Sequence, residues 1–224
     1  MIDVASNKVT SINLNGSITN FIAINPKGDK LFFHKSVNEI GVLNLKDQNQ
    51  IQIISSSHFN QPNFLSVSSD GTKLYVCNNS SPTVSVVDIL TNLWICDINI
   101  SLPNDLNPPF IGPYYFSLNP RQNRALVNNS TDLYLVNVNS NSVISKLNDE
   151  NNLPYGIAFN STGTKGYIVA GNKVEVFDSE SNALVNPIEL NVLASYIAIT
   201  PIPYLPTFTQ FLQRVCPVKY QRRL

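Results

Sequence analysis

One hairpin-like stretch occurs four times along this chain, and the recurrence restricts the fold more than any other feature. In its clearest form it reads SVSSDGTKLYVCNN, from Ser66 to Asn79. An apolar run leads into Ser-Ser-Asp-Gly-Thr-Lys and a second apolar run leaves it, which is the pattern of a strand, a tight turn and a returning strand. The other copies are AINPKGDKLFFHK from Ala23, SLNPRQNRALVNN from Ser117 and AFNSTGTKGYIVAG from Ala158. The turn position holds Gly28, Gly71, Gln122 and Gly163, and the turns close on Lys30, Lys73, Arg124 and Lys165. Successive copies are 43, 51 and 41 residues apart.

A second pattern follows each hairpin. VSVVDILTN ends at Asn92, and GVLNLKDQN, LYLVNVNSN and VEVFDSESN are its counterparts. Asn44, Asp88, Asn137 and Asp178 recur, with Gln48, Asn92, Asn141 and Asn182 four residues on. An Asx side chain caps a turn through its own backbone, and Asn tolerates the left-handed conformation that closes it. Another apolar run follows. Each unit therefore holds four strands, A to D. In the second copy they are expected at about residues 64–68, 73–77, 84–88 and 93–100. Strand A is the most continuously apolar, as in FIAI, FLSV and GIAF, so it is buried on both faces. Helical periodicity is absent through nearly the whole chain. Four-stranded units at this period are the signature of propeller blades, so the expected class is an all-β, β-propeller fold of four-stranded antiparallel blades.

SDGTKLYVCNNSSPTVSVVDILTN resembles the YVTN-type β-propeller repeat, with Tyr75-Val76-Cys77-Asn78 in the naming position. The other copies are looser: Phe32-Phe33-His34-Lys35, Leu126-Val127-Asn128-Asn129 and Tyr167-Ile168-Val169-Ala170. The resemblance implies a surface-layer or secreted propeller, periplasmic or extracellular, mostly without assigned chemistry. The N-terminus has neither the basic start nor the apolar core of a secretory signal. No apolar run has the length of a membrane span.

The ends of the repeat frame the closure problem. MIDVASN aligns with VVDILTN, so the chain begins at strand C of a blade, and SYIAITP matches a strand A. Residues 1–200 read as the propeller: four complete blades, a C–D half-blade first and an A strand last. Either the terminal pieces combine into a composite fifth blade, or the chain is part of a longer propeller. The first reading places residues 1–13 in one sheet with residues 196–200. An open ring would leave edges free to pair with another chain. Residues 201–224 do not repeat. Thr207 opens a short helix to Val215, with Phe208, Phe211, Leu212 and Val215 on one face.

Composition excludes some functions. Lys plus Arg and Asp plus Glu are 15 each. A neutral chain lacks the basic footprint that phosphate-backbone binding needs, so nucleic acid is excluded as a partner. There is no CxxC and no metal-ligand spacing among Cys77, Cys96 and Cys216. The chain carries no nucleophile elbow and no Gly-rich phosphate loop. No catalytic, cofactor or metal residue is assigned.

Binding candidates come from the D–A and B–C loops, which gather on one face of a propeller around its channel. His34 ends a second strand, His58 lies in the D–A connection, and Asn78 and Asn79 end strand B of the second copy. The longest D–A connection, SLPNDLNPPFIG from Ser101, contributes Asp105 and Phe110. Long loops are where binding concentrates. The recurrent turn cations fall on the opposite face and are read as flanking the turns. The function that follows is a non-catalytic scaffold binding a protein, glycan or cell-surface component. The alternative is a lactonase- or lyase-like enzyme with its site in the channel mouth. It would need ionisable groups converging there.

Overall fold

The computed structural model of the chain describes residues 2–3, 8–9, 11–14, 21–47, 50–100, 112–129, 131–147 and 154–199. Within them the secondary structure is strand and turn, without helix. β1 (Ile2–Asp3) and β2 (Lys8–Val9) form a two-stranded hairpin. Four four-stranded antiparallel sheets follow. Blade I is β3 (Ile22–Ile24), β4 (Lys30–Ser36), β5 (Glu39–Asn44) and β6 (Ile51–Ser55). Blade II is β7 (Pro62–Val67), β8 (Lys73–Asn78), β9 (Thr83–Asp88) and β10 (Leu93–Asn99). Blade III is β11 (Tyr115–Leu118), β12 (Arg124–Asn128), β13 (Leu133–Asn137) and β14 (Ser142–Lys146). Blade IV is β15 (Pro154–Phe159), β16 (Lys165–Ala170), β17 (Lys173–Asp178) and β18 (Ala183–Glu189). Strands pair in sequence order within every blade, as meanders. The strands of blade II lie within two residues of the expected bounds.

Turn chemistry explains why the chain folds back where it does. Gly28, Gly71 and Gly163 have φ of 67°, 73° and 68°, the left-handed region a side chain resists. Gln122 does not adopt it. In that copy the Asn119 side chain instead accepts from the backbone N–H groups of Arg121 and Gln122. At the C–D turns, Asp88 Oδ1 accepts from the N–H of Leu90 (2.9 Å) and Thr91 (2.7 Å). Asn44, Asn137 and Asp178 act likewise. Asn92, Asn141 and Asn182 then close the turns at φ of 58°, 52° and 56°. Gln48 lies outside the described residues.

The core lies between blades rather than inside one. Phe32 and Val42 of blade I pack with Leu65, Leu74 and Val87 of blade II. Tyr75, Val84 and Ile98 of blade II pack with Phe116, Val127 and Val136 of blade III. Leu126 and Leu135 of blade III pack with Ile168 and Phe177 of blade IV. Two of the turn cations span these interfaces. Lys30 Nζ of blade I donates to the Ile89 carbonyl of blade II at 3.2 Å, and Arg124 Nη1 of blade III bonds Asn182 Oδ1 of blade IV. They cross-link neighbouring blades, a role beyond flanking a turn.

The seam between blade IV and blade I differs. Ile12 and Leu14 pack on Leu31, Phe33 and Leu43, covering part of the free face of blade I. The sheet expected to join the two ends is not formed among the described residues. β1 pairs with β2 alone, and residues 193–199 form no strand. Residues 194–197 instead lie along blade IV through two backbone bonds, Ala194 N–H to Gly171 O (3.0 Å) and Gly156 N–H to Ser195 O (3.2 Å). One reason is hydrogen bonding. A strand needs a ladder on at least one side, and neither piece brings a strand B between them. The helix expected from Thr207 lies outside the described residues.

Candidate binding face and channel

The A strands set the geometry of the axis. β7 has contacts with both β3 and β11, and β11 with β15, so the innermost strands line the centre. Each A segment places one residue at an equivalent position: Phe21, Phe64, Tyr115, Gly156 and Tyr196. Three of these rings meet although they come from three blades. The centroids of Phe21 and Phe64 are 5.1 Å apart, Phe64 and Tyr115 5.2 Å, and Phe21 and Tyr115 5.7 Å. The interplanar angles of 58° to 80° are those at which ring edges meet ring faces. Tyr196 joins at 6.4 Å from Tyr115. The three rings thus close on one another where the A strands converge, and this contact is called the aromatic plug below.

Gly156 is the exception in the series, and the structure supplies the reason. A Cβ there would stand 3.1 Å from the Tyr196 Cα and from the Ile197 N. The missing side chain lets the last A segment approach β15. Burial first, and then the hydrogen bond and proximity of Tyr196, push the Tyr115 phenol well above its usual pKa. Desolvation disfavours the phenolate.

His58 lies away from this axis. Its Nδ1 is 2.8 Å from Asp97 Oδ2 on β10, the outermost strand of blade II, and its ring stacks on Trp94 at 3.6 Å and 12°. Asp97 Oδ1 also accepts from Ser85 Oγ (2.7 Å) and from Trp94 Nε1 (3.0 Å). Ser, His and Asp are thus adjacent, yet the carboxylate bridges the other two and Ser85 is fully buried. In a catalytic triad the imidazole would lie between them. This network fastens the D–A connection to the rim of the blade.

Asn78 belongs to the same network. It is fully buried, donates from Nδ2 to Thr83 and Ser85, and accepts the Asn60 N–H at Oδ1. Asn79 is half-buried; its backbone N–H donates to the Gln61 carbonyl and its own carbonyl accepts from Gly112. His34 stands elsewhere, its Nε2 2.8 Å from the Ser36 carbonyl oxygen. Asp105 and Phe110 lie outside the described residues. The structure therefore joins His58 with Asn78 and leaves His34 apart. Among the described residues no group of three or more His, Cys, Asp or Glu side chains is arranged to hold a metal. Cys77 and Cys96 are free thiols; burial pushes the Cys77 thiol far up, which removes its nucleophilic form.

Sequence reasoning passed over the aromatic position. The signal was present as the residue opening FIAI, FLSV, YFSL and YIAI.

No family profile matches the chain, and no curated protein matches it in sequence. Solved structures do match in shape. The β-propeller domain of Cps50 (Swd1) from Myceliophteria thermophila aligns at TM-score 0.71 and 14% identity, over 86% of this chain and 62% of that one. Hydrazine synthase from Kuenenia stuttgartiensis aligns at 0.65 and 20%, over 81% and 53%. U3-55K aligns at 0.64 and 10%, over 78% and 53%. The chain thus spans between about half and three fifths of the length of these structures. At such identities the likeness is one of fold, and together with the four radial sheets it shows that this chain is a β-propeller.

Proposed function

We propose that the protein is a non-catalytic propeller scaffold that binds a protein, glycan or cell-surface component through the face where its A strands begin. The observation carrying this reading is the aromatic plug. Phe21, Phe64 and Tyr115 meet where the A strands converge, the region in which a channel enzyme would hold its substrate, and their contact supports this reading. The acid–base pair of His58 with Asp97 is held in a network at the blade rim. The likeness of Tyr75–Asn78 to the YVTN repeat supports a surface or exported setting for the same scaffold.

The test pairs two assays on the intact chain. Purified cell-envelope material is cosedimented with the protein, and a panel of lactones and uronide polymers is offered as substrate. The account expects saturable cosedimentation without turnover. Turnover abolished by His58→Ala would overturn it in favour of the enzyme reading.

A further inference from the structure

The turn cation of one blade meets the C–D turn of the next, and the copies differ at this junction. Arg124 of blade III bonds Asn182 Oδ1 of blade IV. Lys30 holds the equivalent place in blade I and shares a cleft with Asn92 of blade II. Its Nζ reaches the Ile89 carbonyl at 3.2 Å instead. Asn92 Nδ2 lies 3.5 Å from Gln52 Oε1, which leaves Oδ1 as the other end of the amide. That oxygen is buried and has no hydrogen-bond partner among the described residues. The same holds for Asn141 Oδ1 in blade III, where the preceding cation is again a lysine, Lys73. The acceptor is satisfied where the cation is Arg and orphaned where it is Lys. A guanidinium presents a planar fork of five N–H donors, whereas an ammonium is a compact point charge.

At Asn92 the orphaned oxygen has a cavity beside it. The cleft between blades I and II has a volume of about 320 Å³, and Lys30, Asn44, Asp47, Gln52, Leu90 and Asn92 are among its lining residues. A buried acceptor left unsatisfied is costly, so a donor is what this cleft lacks. A carboxylate or phosphate would bring only further acceptors to Asp47 and Asn92 Oδ1. Asp47 offers a cation its counter-charge, and Leu90, 88% exposed, offers an aliphatic stem a surface. Gln52 lies on β6, the outermost strand of blade I. The other outermost strands carry Asp97 in β10, Lys146 in β14, and Pro187 with Glu189 in β18, residues that discourage a further strand. β6, with the sequence IQIIS, has neither charge nor proline. An extended polypeptide can lie along it and place a side chain in the cleft.

We propose that the cleft between blades I and II is a binding site for an arginine side chain of a polypeptide partner, its guanidinium donating to Asn92 Oδ1 and to the Asp47 carboxylate. Arg124 on Asn182 is the precedent within the same chain. The site lies at the face of the A–B and C–D turns, opposite to the face where the A strands begin, and does not rest on the scaffold reading.

NMR titration of the intact chain with acetyl-Ala-Ala-Arg-Ala-Ala-amide tests it, with the lysine and citrulline peptides and agmatine for comparison. The arginine peptide should shift the side-chain amide signals of Asn92 and Gln52 and bind more tightly than the other three. Asn92→Gly removes the oxygen and suits a turn residue whose φ is 58°. Affinity should then fall about tenfold, the scale of a hydrogen bond to a charged group. Asp47→Asn should weaken binding as well, through the lost charge. Lys30→Arg should fill the site from within, as Arg124 does at blade IV, blocking the peptide and raising the urea midpoint. Leu193→Ser, at an exposed position beside blade IV, should change nothing. Absence of binding overturns the site, as does affinity indifferent to both Asn92→Gly and Asp47→Asn. Equal binding of the lysine or citrulline peptide overturns the guanidinium, and tighter binding of agmatine overturns the polypeptide source.

Discussion

Two kinds of edge coexist in this ring, and the same strand position reports on both. Leu65 and Phe116 occupy one position on the A strands of blades II and III, facing the preceding blade, and they are 3% and 1% exposed. Ile22 is their equivalent on blade I and is 55% exposed, with Ile24 at 51%. Sequence alone makes the three alike, since each lies in a short apolar run. The difference is the neighbour. Blades II and III each follow a complete sheet, whereas blade I follows the seam, where residues 11–14 cover only Leu31, Phe33 and Leu43. A propeller blade is stable because of what lies beside it, so the value of an apolar side chain depends on blade order.

The largest expected effect follows directly. Phe116→Ala should cost about 3–5 kcal/mol in urea unfolding, the usual loss for a buried ring. Ile22→Ala should cost less than about 1 kcal/mol, as for a surface site. Equal losses would mean that the seam is as tightly packed as the interfaces.

Gly156 probes the other side of the seam. Its replacement by Ala sets a methyl against backbone atoms at 3.1 Å, and backbone cannot swing aside as a side-chain tip does. We expect about 1 kcal/mol of destabilisation, at the low end for overpacking, because the segment can shift. Protease cleavage within residues 193–199 should accelerate in the variant. Unchanged cleavage would show that this segment does not rest on β15.

The turn cations sharpen the contrast at a smaller scale. Arg124 crosses from blade III to Asn182 of blade IV, whereas Lys165 reaches Asp178 of its own blade at 3.5 Å. Arg124→Ala should lower stability by about 0.5–1 kcal/mol, the low end for a hydrogen bond because this one is only partly buried. Lys165→Ala should change it by less than about 0.5 kcal/mol, since this longer pair keeps much of its contact with solvent. A reversed order would assign the cross-linking to the wrong cation.

The smallest effect is in acid. The Asp88 and Asp178 carboxylates are held below the usual carboxylate range, first by the backbone N–H groups of Thr91 and Ser181. For Asp70 the Ser68 hydroxyl is the first cause. Their folded pKa values are depressed, so their contribution is present above the unfolded value near about 3.9 and is lost as pH falls through the folded values. Asp88→Asn, which keeps the capping oxygen, should therefore flatten the fall in stability below about pH 4 and leave neutral stability nearly unchanged.

What the sequence disclosed is local. Asp88 with Asn92, and Asp178 with Asn182, name their turns within five residues, so strand limits could be read without a partner in view. The position of His58 could not. Its partners Asp97 and Trp94 lie on a strand whose register shifts between Trp94 and Cys96, and no spacing rule predicts which face such a residue takes. The aromatic plug lay between these cases. Its members were visible at equivalent positions, but only the convergence of three blades turns three strand residues into one contact. That the β1–β2 hairpin and residues 193–199 share no sheet among the described residues was illegible, because alignment to a repeat identifies equivalent pieces without counting their hydrogen bonds.

The central claim is that the A strands converge on one plugged axis, and Phe21 with Tyr115 tests it most directly. These residues lie on blades I and III, 5.7 Å apart between ring centroids, with a whole blade between them in sequence. A double-mutant cycle with Phe21→Leu, Tyr115→Leu and the pair, read by urea unfolding, isolates their contact. The account predicts a coupling of about 0.5–1.5 kcal/mol, the worth of an edge-to-face pair. Additivity within about 0.3 kcal/mol, as for distant independent sites, would contradict it and leave the blades in an open arc.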